Sequence, residues 1–284
     1  MKSNFLKAAL GAAFLFSSPA FSQSKSETYK DIIEKAYNLS LQKDRQQALN
    51  ILTAAIARES RPAAQAELKK ATVEVAHVFF SDKAQQLYET SISLKKTDLN
   101  QAISKLAEAQ RIEPDNLTVV MEQARLQIAK GECSNAQEAL QKSVKLMSFD
   151  EELRLVNAQT QVCAGQWVEY SKNPEVSDSR KSTYQKYWMA LEVERQLKLK
   201  NLTKASETAQ SLVKLDPKYP EGHYWIWKIS LALKKSNLEE AQKYVMTCKN
   251  ISASQYRQYM IDPMLCRRAQ EVESEIKGMN GTAE

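Results

Sequence analysis

A short sequence phrase recurs along this chain, and its spacing limits what the chain can fold into. The stretch LNQAISKLAEAQRIEPD carries a small residue at Ala102 and a proline at Pro114. The stretch LTKASETAQSLVKLDP repeats the arrangement, with Ala205 and Pro217 the same twelve residues apart. Apolar and small residues fall between these positions at helical spacing, and a proline cannot continue a helix. Because a short helix pair cannot bury its apolar face alone, such repetition predicts a stack of similar helical units.

Weaker copies carry the pattern along much of the chain. Ala136 lies 34 residues after Ala102, Ala241 lies 36 residues after Ala205, and Ala48 marks an earlier copy. Small residues at these positions would let neighbouring helices approach closely and share one continuous core. The scarcity of helix breakers, with six glycines and seven prolines in 284 residues, also favours helix almost throughout.

The pattern resembles the tetratricopeptide repeat family, whose unit is a helix-turn-helix of about 34 residues. The small residue followed by a terminal proline carries the resemblance, which covers most of residues 28–253. It implies an all-α fold, namely a tetratricopeptide-like α-solenoid of stacked antiparallel helix pairs. Departures exist, because Thr90 and Val193 stand where the family usually has Gly or Ala, although Trp225 falls where it often has Trp. We therefore expect a degenerate array with some irregular pairs.

Two interruptions of the period suggest how the array is divided. Ala48 and Ala102 are 54 residues apart, twenty more than one repeat, which predicts an extra or unusually long helix between Pro62 and Lys96. The stretch SKNPEVSDSRKST, residues 171–183, replaces an expected second helix and reads as a polar loop. We expect this loop to separate an N-terminal helical lobe, 23–170, from a C-terminal lobe, 184–278, with a flexible tail at 279–284.

The N-terminus has the outline of a secretory signal peptide over residues 1–22. A basic start with Lys2 and Lys7 precedes a short apolar run, and small residues end it at Ser22. We expect cleavage there, no lipid anchor because no cysteine follows the run, and a soluble periplasmic or secreted chain beginning at Gln23. No later apolar run approaches the length of a transmembrane helix.

Charge argues against a nucleic-acid partner. Removing Lys2 and Lys7 with the signal lowers the formal net charge from +6 to +4. Acidic and basic residues are interspersed along the chain, without the run of Lys and Arg that marks a nucleic-acid or polybasic membrane surface.

Cys133, Cys163, Cys248 and Cys266 are an even set in a chain expected to be exported, which favours disulfides. Zinc is the competing reading, but there is no Cys-x-x-Cys, and the two histidines lie far from the cysteines in sequence. In stacked repeats of the family's kind, the turn that holds Cys133 would lie beside the helix end that holds Cys163. Cys248 would clip down the terminal segment that holds Cys266. We therefore expect the bridges Cys133–Cys163 and Cys248–Cys266.

The sequence carries no recognisable catalytic motif. The chain lacks G-x-S-x-G, H-E-x-x-H, the P-loop and G-x-G-x-x-G. His77 lies in the apolar stretch VEVAHVFF, where a packed core histidine is the simpler reading. We expect no catalytic residues, no cofactor and no metal, and hence no enzyme.

Aromatic residues are unevenly distributed. All four tryptophans, Trp167, Trp188, Trp225 and Trp227, fall within one stretch of the chain together with many tyrosines. They fill joints between irregular helix pairs, or they line an aromatic binding groove. Sequence leaves both readings open.

The favoured function is a periplasmic or secreted scaffold or adaptor that binds a protein or peptide partner, with a role in cell-envelope assembly or maintenance. This rests on the resemblance, because exported bacterial members commonly serve in such settings. The alternatives are a glycan- or peptidoglycan-acting enzyme or its regulatory subunit, and a purely structural oligomer. A deep pocket with converging carboxylates of raised pKa would favour the enzyme, and a shallow open groove would not.

In the family, the first helix of each pair lines a concave groove that holds the partner. Carried over by position, the resemblance implies a groove with an aromatic at one end and scattered basic residues. Such a groove would suit an extended peptide with an acidic group. The candidate residues are Tyr187, Glu194, Lys198, His223, Ser230 and Lys234, with Lys95 and Arg125 at comparable places in earlier pairs.

Overall fold

The computed structural model describes residues 27–235 and 237–281, and the regular elements within these ranges are all helical. The expected signal peptide, 1–22, lies outside the described residues. The helices are α1 (Tyr29–Leu41), α2 (Arg45–Arg58), α3 (Pro62–His77), α4 (Asp82–Leu94), α5 (Leu99–Ile112), α6 (Leu117–Ala129), α7 (Cys133–Leu146), α8 (Glu151–Cys163), α9 (Trp167–Tyr170), α10 (Pro174–Ser177), α11 (Gln185–Lys198), α12 (Leu202–Leu215), α13 (Pro220–Ala232), α14 (Leu238–Asn250), α15 (Ala253–Tyr259) and α16 (Ala269–Gly281).

Consecutive helices pack side by side across short turns and are therefore antiparallel. The pairs are α1 with α2, α4 with α5, α6 with α7, α11 with α12, and α13 with α14. Successive pairs also touch, because α5 packs on α6, α7 on α8, and α12 on α13. This confirms the predicted all-α, tetratricopeptide-like stacking of helix pairs.

The recurrent alanines occupy the closest contacts of the stack. Ala48, Ala102, Ala136, Ala205 and Ala241 lie on second helices of pairs and are all 0% exposed. A larger side chain at such a position would force packed helices apart, since protein interiors have little spare volume. Packing therefore explains the repeated small residue that the sequence shows.

Turns within pairs share a left-handed residue. Gly131 (φ 79°) and Gly165 (φ 69°) follow α6 and α8, and Lys43 (φ 65°), Lys200 (φ 58°) and Lys234 (φ 55°) hold the corresponding places after α1, α11 and α13. Polar N-caps then begin several second helices, as where the Asn201 side chain accepts a hydrogen bond from the Lys204 amide.

The first interruption of the repeat contains an extra helix, α3, which packs against α1, α2 and α6. Arg45 of α2 fastens this region. Its guanidinium donates to the Val75 carbonyl at 3.2 Å and to the Glu113 carboxylate at 2.7 Å. Arg45 also stacks over the Phe80 ring, 4.2 Å from its centroid. Because the buried guanidinium is paired and hydrogen-bonded, its desolvation is compensated.

The second interruption, the expected polar loop at 171–183, contains the short helix α10 and a 3₁₀ turn at Ser179–Lys181. The core continues past it, because Leu155 and Val162 of α8 belong to the same buried cluster as Trp188 and Trp227. Those two tryptophans are 1% and 0% exposed, so they fill joints between helices. The burial of these two tryptophans agrees with the interpretation that aromatic residues in this stretch fill joints between helices.

Both predicted disulfides are present. Cys133–Cys163 and Cys248–Cys266 each join Cα atoms 5.5 Å apart. The second bridge ties α14 to the stretch before α16, and α16 packs on α14. Residues 279–281, expected in the tail, form the last turn of α16, and 282–284 lie outside the described residues. Within the described ranges, no helix has both the length and the apolar character that a bilayer crossing requires.

Candidate binding site

Residues 258–268, which we name the C-terminal segment, run from the end of α15 to the start of α16 and lie against the first helices of several pairs. We name the surface that receives this segment the inner face. It is formed by side chains at the end of α4 and on α8, α11 and α13, namely Lys95, Gln159, Tyr187 and Glu221.

The inner face holds the C-terminal segment chiefly by its backbone. The Lys95 ammonium donates to the Met260 carbonyl at 3.0 Å, and the Gln159 amide donates to the Ile261 carbonyl at 3.1 Å. The Tyr187 hydroxyl donates to the Gln258 carbonyl at 3.0 Å. Because the donors come from three different helices, the segment is held across the stack of repeats.

Two carboxylates complete this attachment. The Tyr219 hydroxyl donates to Asp262, which also accepts a hydrogen bond from the Met264 amide at 2.8 Å. Glu221 of α13 accepts from the Cys266 amide at 2.8 Å and pairs with the Arg268 guanidinium at 3.1 Å. Each carboxylate is therefore committed to donors within or beside the C-terminal segment.

A chain of ion pairs leads from Lys95 of the inner face along α6 to α8. Lys95 pairs with Glu122 at 2.7 Å, and Arg125 pairs with Glu152 at 2.6 Å and with Glu122 at 3.5 Å. The Tyr184 hydroxyl donates to Glu152 at 3.2 Å. Burial lowers the pKa of the Lys95 ammonium, while the Glu122 carboxylate opposes that effect.

Four of the eight predicted groove residues lie at or near the inner face or its cavity. Lys95, Arg125 and Tyr187 are 1%, 4% and 4% exposed, because they face the C-terminal segment or belong to the chain of ion pairs. Glu194 lies beside them and lines a cavity described below. Lys95 and Tyr187 are therefore covered by the C-terminal segment, Arg125 is held in the ion pairs next to Lys95, and Glu194 lies at the cavity.

The other predicted residues lie elsewhere. His223 is held between the Glu240 carboxylate, 2.7 Å from Nδ1, and the Pro217 carbonyl, 3.2 Å from Nε2. The Ser230 hydroxyl donates to the Trp227 carbonyl at 2.7 Å, within its own helix. Lys198 and Lys234 are exposed. The eight candidates therefore do not line one open groove.

A cavity of about 300 Å³ adjoins the C-terminal segment and is lined by residues from α6, α8, α11, α13 and the segment. Carboxylates of Glu194, Glu221 and Asp262 line it together with the Arg268 guanidinium. Burial raises the pKa of Glu221 to about 8, and burial also raises the pKa values of Glu194 and Asp262. The apolar and aromatic part of its lining includes Ile128, Val162, Tyr187, Leu191, Tyr219, Trp225 and Met264.

Sequence reasoning missed the C-terminal segment as the occupant of the inner face, and with it Gln159, Glu221 and Asp262. Cys266, paired with Cys248, was the available signal, because that bridge predicts that the terminal segment is clipped back onto the repeats. It could not show which face receives the segment. Among the described residues, no cluster of three His, Cys, Asp or Glu side chains is arranged to hold a metal ion.

Comparison with known proteins adds little. No family model matches the chain, and the comparison with curated proteins found no match. Among solved structures, the chain is similar to a tetratricopeptide repeat protein from Parabacteroides merdae, with 14% identity and a TM-score of 0.37. That match covers 84% of this chain and 98% of the other. At this identity and TM-score the likeness carries no argument beyond the helix pairing already seen in the chain itself.

Proposed function

We propose that this chain is an exported scaffold or adaptor that binds a protein or peptide partner and serves cell-envelope assembly or maintenance. The observation that carries the proposal is the set of hydrogen bonds by which the inner face holds the C-terminal segment. Lys95, Gln159 and Tyr187, from three helices, donate to successive parts of a peptide backbone. The segment that the inner face holds folds back in a run of turns, so the array already binds peptide backbone of its own chain. The two disulfides support an oxidising compartment, as export requires.

Because the C-terminal segment fills the inner face, the partner needs another surface that is open. Lys198 ends α11, and Lys234 follows α13, the helix that packs against α11. Both lysines are exposed, and neither forms an ion pair within the described ranges. We infer that they present positive charge to an acidic group of the partner, which steers association more than it adds affinity.

The test is crosslinking capture of the partner from the native envelope with a tagged chain. We expect the double variant Lys198→Glu with Lys234→Glu to weaken capture about tenfold or more, because attraction becomes repulsion. Helicity and melting temperature should hardly change, since both side chains are exposed. The matched control reverses two exposed lysines at the other end of the array, Lys43→Glu with Lys70→Glu, and should capture normally.

Three outcomes would contradict the proposal. Equal capture by both double variants would rule out Lys198 and Lys234 as the partner-binding surface. It would point to the side of the array away from the inner face or to residues 171–183. Failure of the wild-type chain to enrich any partner over the untagged control would contradict the scaffold itself. Recovery of full-length chain from the cytosol, in place of envelope material beginning near Gln23, would contradict export.

An enzyme remains the second candidate, because the cavity brings together carboxylates of raised pKa. However, Glu221 and Asp262 each accept hydrogen bonds that fix them to the C-terminal segment. Glu194 is left without a carboxyl partner free to act as a complementary acid or base. Incubation with purified peptidoglycan should therefore release no reducing ends. Release by the wild-type chain that Glu194→Gln abolishes would reverse this choice.

A further inference from the structure

The cavity beside the C-terminal segment contains hydrogen-bond acceptors that the protein leaves unused. Gln159 is 4% exposed and lines the cavity. Its Nε2 donates to the Ile261 carbonyl, which fixes the orientation of the amide, and its Oε1 finds no hydrogen-bond partner among the described residues. A buried acceptor without a donor is costly, so it marks a place where a ligand donor would be stabilising.

Glu194 is a second unused acceptor in the same cavity. Its carboxylate forms no hydrogen bond and no close ion pair in the part of the chain that the structure describes. Burial raises the pKa of this carboxyl, and the more distant charges of Arg268 and Lys198 only partly offset that effect. The group is therefore held in an environment that a nearby cation would improve.

The other charged groups of the cavity are already committed. Arg268 pairs with Glu221 at 3.1 Å and stacks over Tyr224, 4.6 Å from the ring centroid. Asp262 accepts from Tyr219 and from the Met264 amide. Since Arg268 is engaged with Glu221, neither Glu194 nor Asp262 has a basic side chain within salt-bridge distance among the described residues.

The rest of the cavity lining is apolar and aromatic, and it decides which uncharged part a ligand can have. Leu191 and Val162 supply apolar surface, and the rings of Tyr187 and Trp225 line the same space. Aromatic faces attract cations as well as alkyl chains. The volume of about 300 Å³ is at the lower end of the range for ligand sites, so it suits a short chain better than a folded domain.

We propose that this cavity binds an alkylammonium group, with the ammonium donating to the Glu194 carboxylate and the Gln159 Oε1 atom and the alkyl chain lying against Tyr187, Leu191 and Trp225. The same chemistry is offered by a free aliphatic amine and by a lysine side chain of a peptide. The cavity and the partner surface at Lys198 and Lys234 are different groups of residues, although the Lys198 charge reaches Glu194. Each proposal is therefore tested with its own variant and can fail alone.

The experiment is titration of the purified, oxidised chain with n-pentylammonium, followed by calorimetry and by the fluorescence of tryptophan. We expect saturable binding that is at least about tenfold weaker for n-pentanol, a neutral molecule of the same length, because a charge-assisted hydrogen bond is lost. Glu194→Gln should also weaken binding about tenfold or more, while Glu207→Gln, at an exposed position on α12, should not. Melting curves of both variants confirm that they fold.

A second titration distinguishes the two sources of the ammonium. Binding of Nα-acetyl-lysine methylamide with similar affinity would assign the site to a lysine side chain, and binding of n-pentylammonium alone would assign it to a free amine. Three results would overturn the proposal: no saturable binding of either compound, equal binding of n-pentanol, or unchanged binding by folded Glu194→Gln.

Discussion

Single residues set the turns of this array at a measurable cost. Lys200 adopts φ 58° between α11 and α12, a left-handed conformation in which a Cβ atom is strained. Gly131 occupies the equivalent turn between α6 and α7 with φ 79°, and a Cβ added there would meet nothing within 4 Å. The two sites therefore differ in side-chain strain while sharing one backbone role.

Exchanging the residue types should move stability in opposite directions. Lys200→Gly should raise the free energy of unfolding by about 0.5–1 kcal/mol, because the left-handed strain is relieved. Gly131→Ala should lower it by about 1 kcal/mol through that strain alone, because no clash accompanies the new methyl group. Urea denaturation monitored by circular dichroism measures both. A destabilised Lys200→Gly would show that the lysine side chain contributes more than its backbone costs.

Residue identity predicted packing well and predicted the site poorly. The alanines that recur on the second helices of the pairs are fully buried, as their recurrence indicates, because close helix approach leaves room for little else. Lys95 and Arg125 carry charges that usually mark a solvated surface, yet both are buried. Their burial depends on Glu122, Glu152 and the C-terminal segment, which are distant in sequence and have no periodic signature.

At the scale of elements, the C-terminal segment is attached by side-chain hydrogen bonds and one disulfide bridge, without regular secondary structure over residues 260–268. Leu265 is 4% exposed within it, and Cys266 joins it to α14. The bridge closes a loop with a sequence separation of 18 residues. Restricting the unfolded chain in this way contributes about 3 kcal/mol in the chain-entropy account.

Removing that bridge should loosen the segment more than the repeats. Cys248→Ser with Cys266→Ser should lower the free energy of unfolding by about 3 kcal/mol and speed amide exchange in the C-terminal segment. The control, Cys133→Ser with Cys163→Ser, removes a bridge with a sequence separation of 30 residues and should destabilise the chain without selectively exposing the segment. Denaturation and exchange by mass spectrometry measure both. Equal effects of the two pairs on the segment would mean that its side-chain contacts suffice.

Elements with a strong period were predictable, and those without one were not. The second helices α5, α12 and α14 begin near the recurrent phrase, and both cysteine pairs follow from stacking those units. The short helix α10 lies in a polar stretch whose order depends on tertiary contacts, such as the pair between Arg154 and Glu175 at 2.6 Å. Helix propensity and hydrophobic periodicity do not predict a contact between residues that are distant in sequence.

For the whole molecule, the helix pairs form a scaffold whose inner face is filled by its own chain. The C-terminal segment links an early helix pair to the last one. The Arg267 guanidinium donates to the backbone carbonyl of Lys95, at the end of α4, at 2.8 Å. The surface that holds the C-terminal segment is thereby buried, with Lys95 and Tyr187 only 1% and 4% exposed. The proposed partner surface and the proposed ammonium cavity both depend on this closure, since it decides which residues remain accessible.

Hydrogen exchange of the wild-type chain tests that closure most directly. In the C-terminal segment, the Cys266 amide donates to Glu221 at 2.8 Å, the Met264 amide to Asp262 at 2.8 Å, and the Arg267 amide to the Met264 carbonyl at 3.0 Å. We expect peptides covering residues 259–268 to exchange about 100-fold or more slower than unstructured chain, within about tenfold of those from α13. Exchange of those peptides at the rate of unstructured chain, with α13 still protected, would show that the inner face is open and would contradict the account.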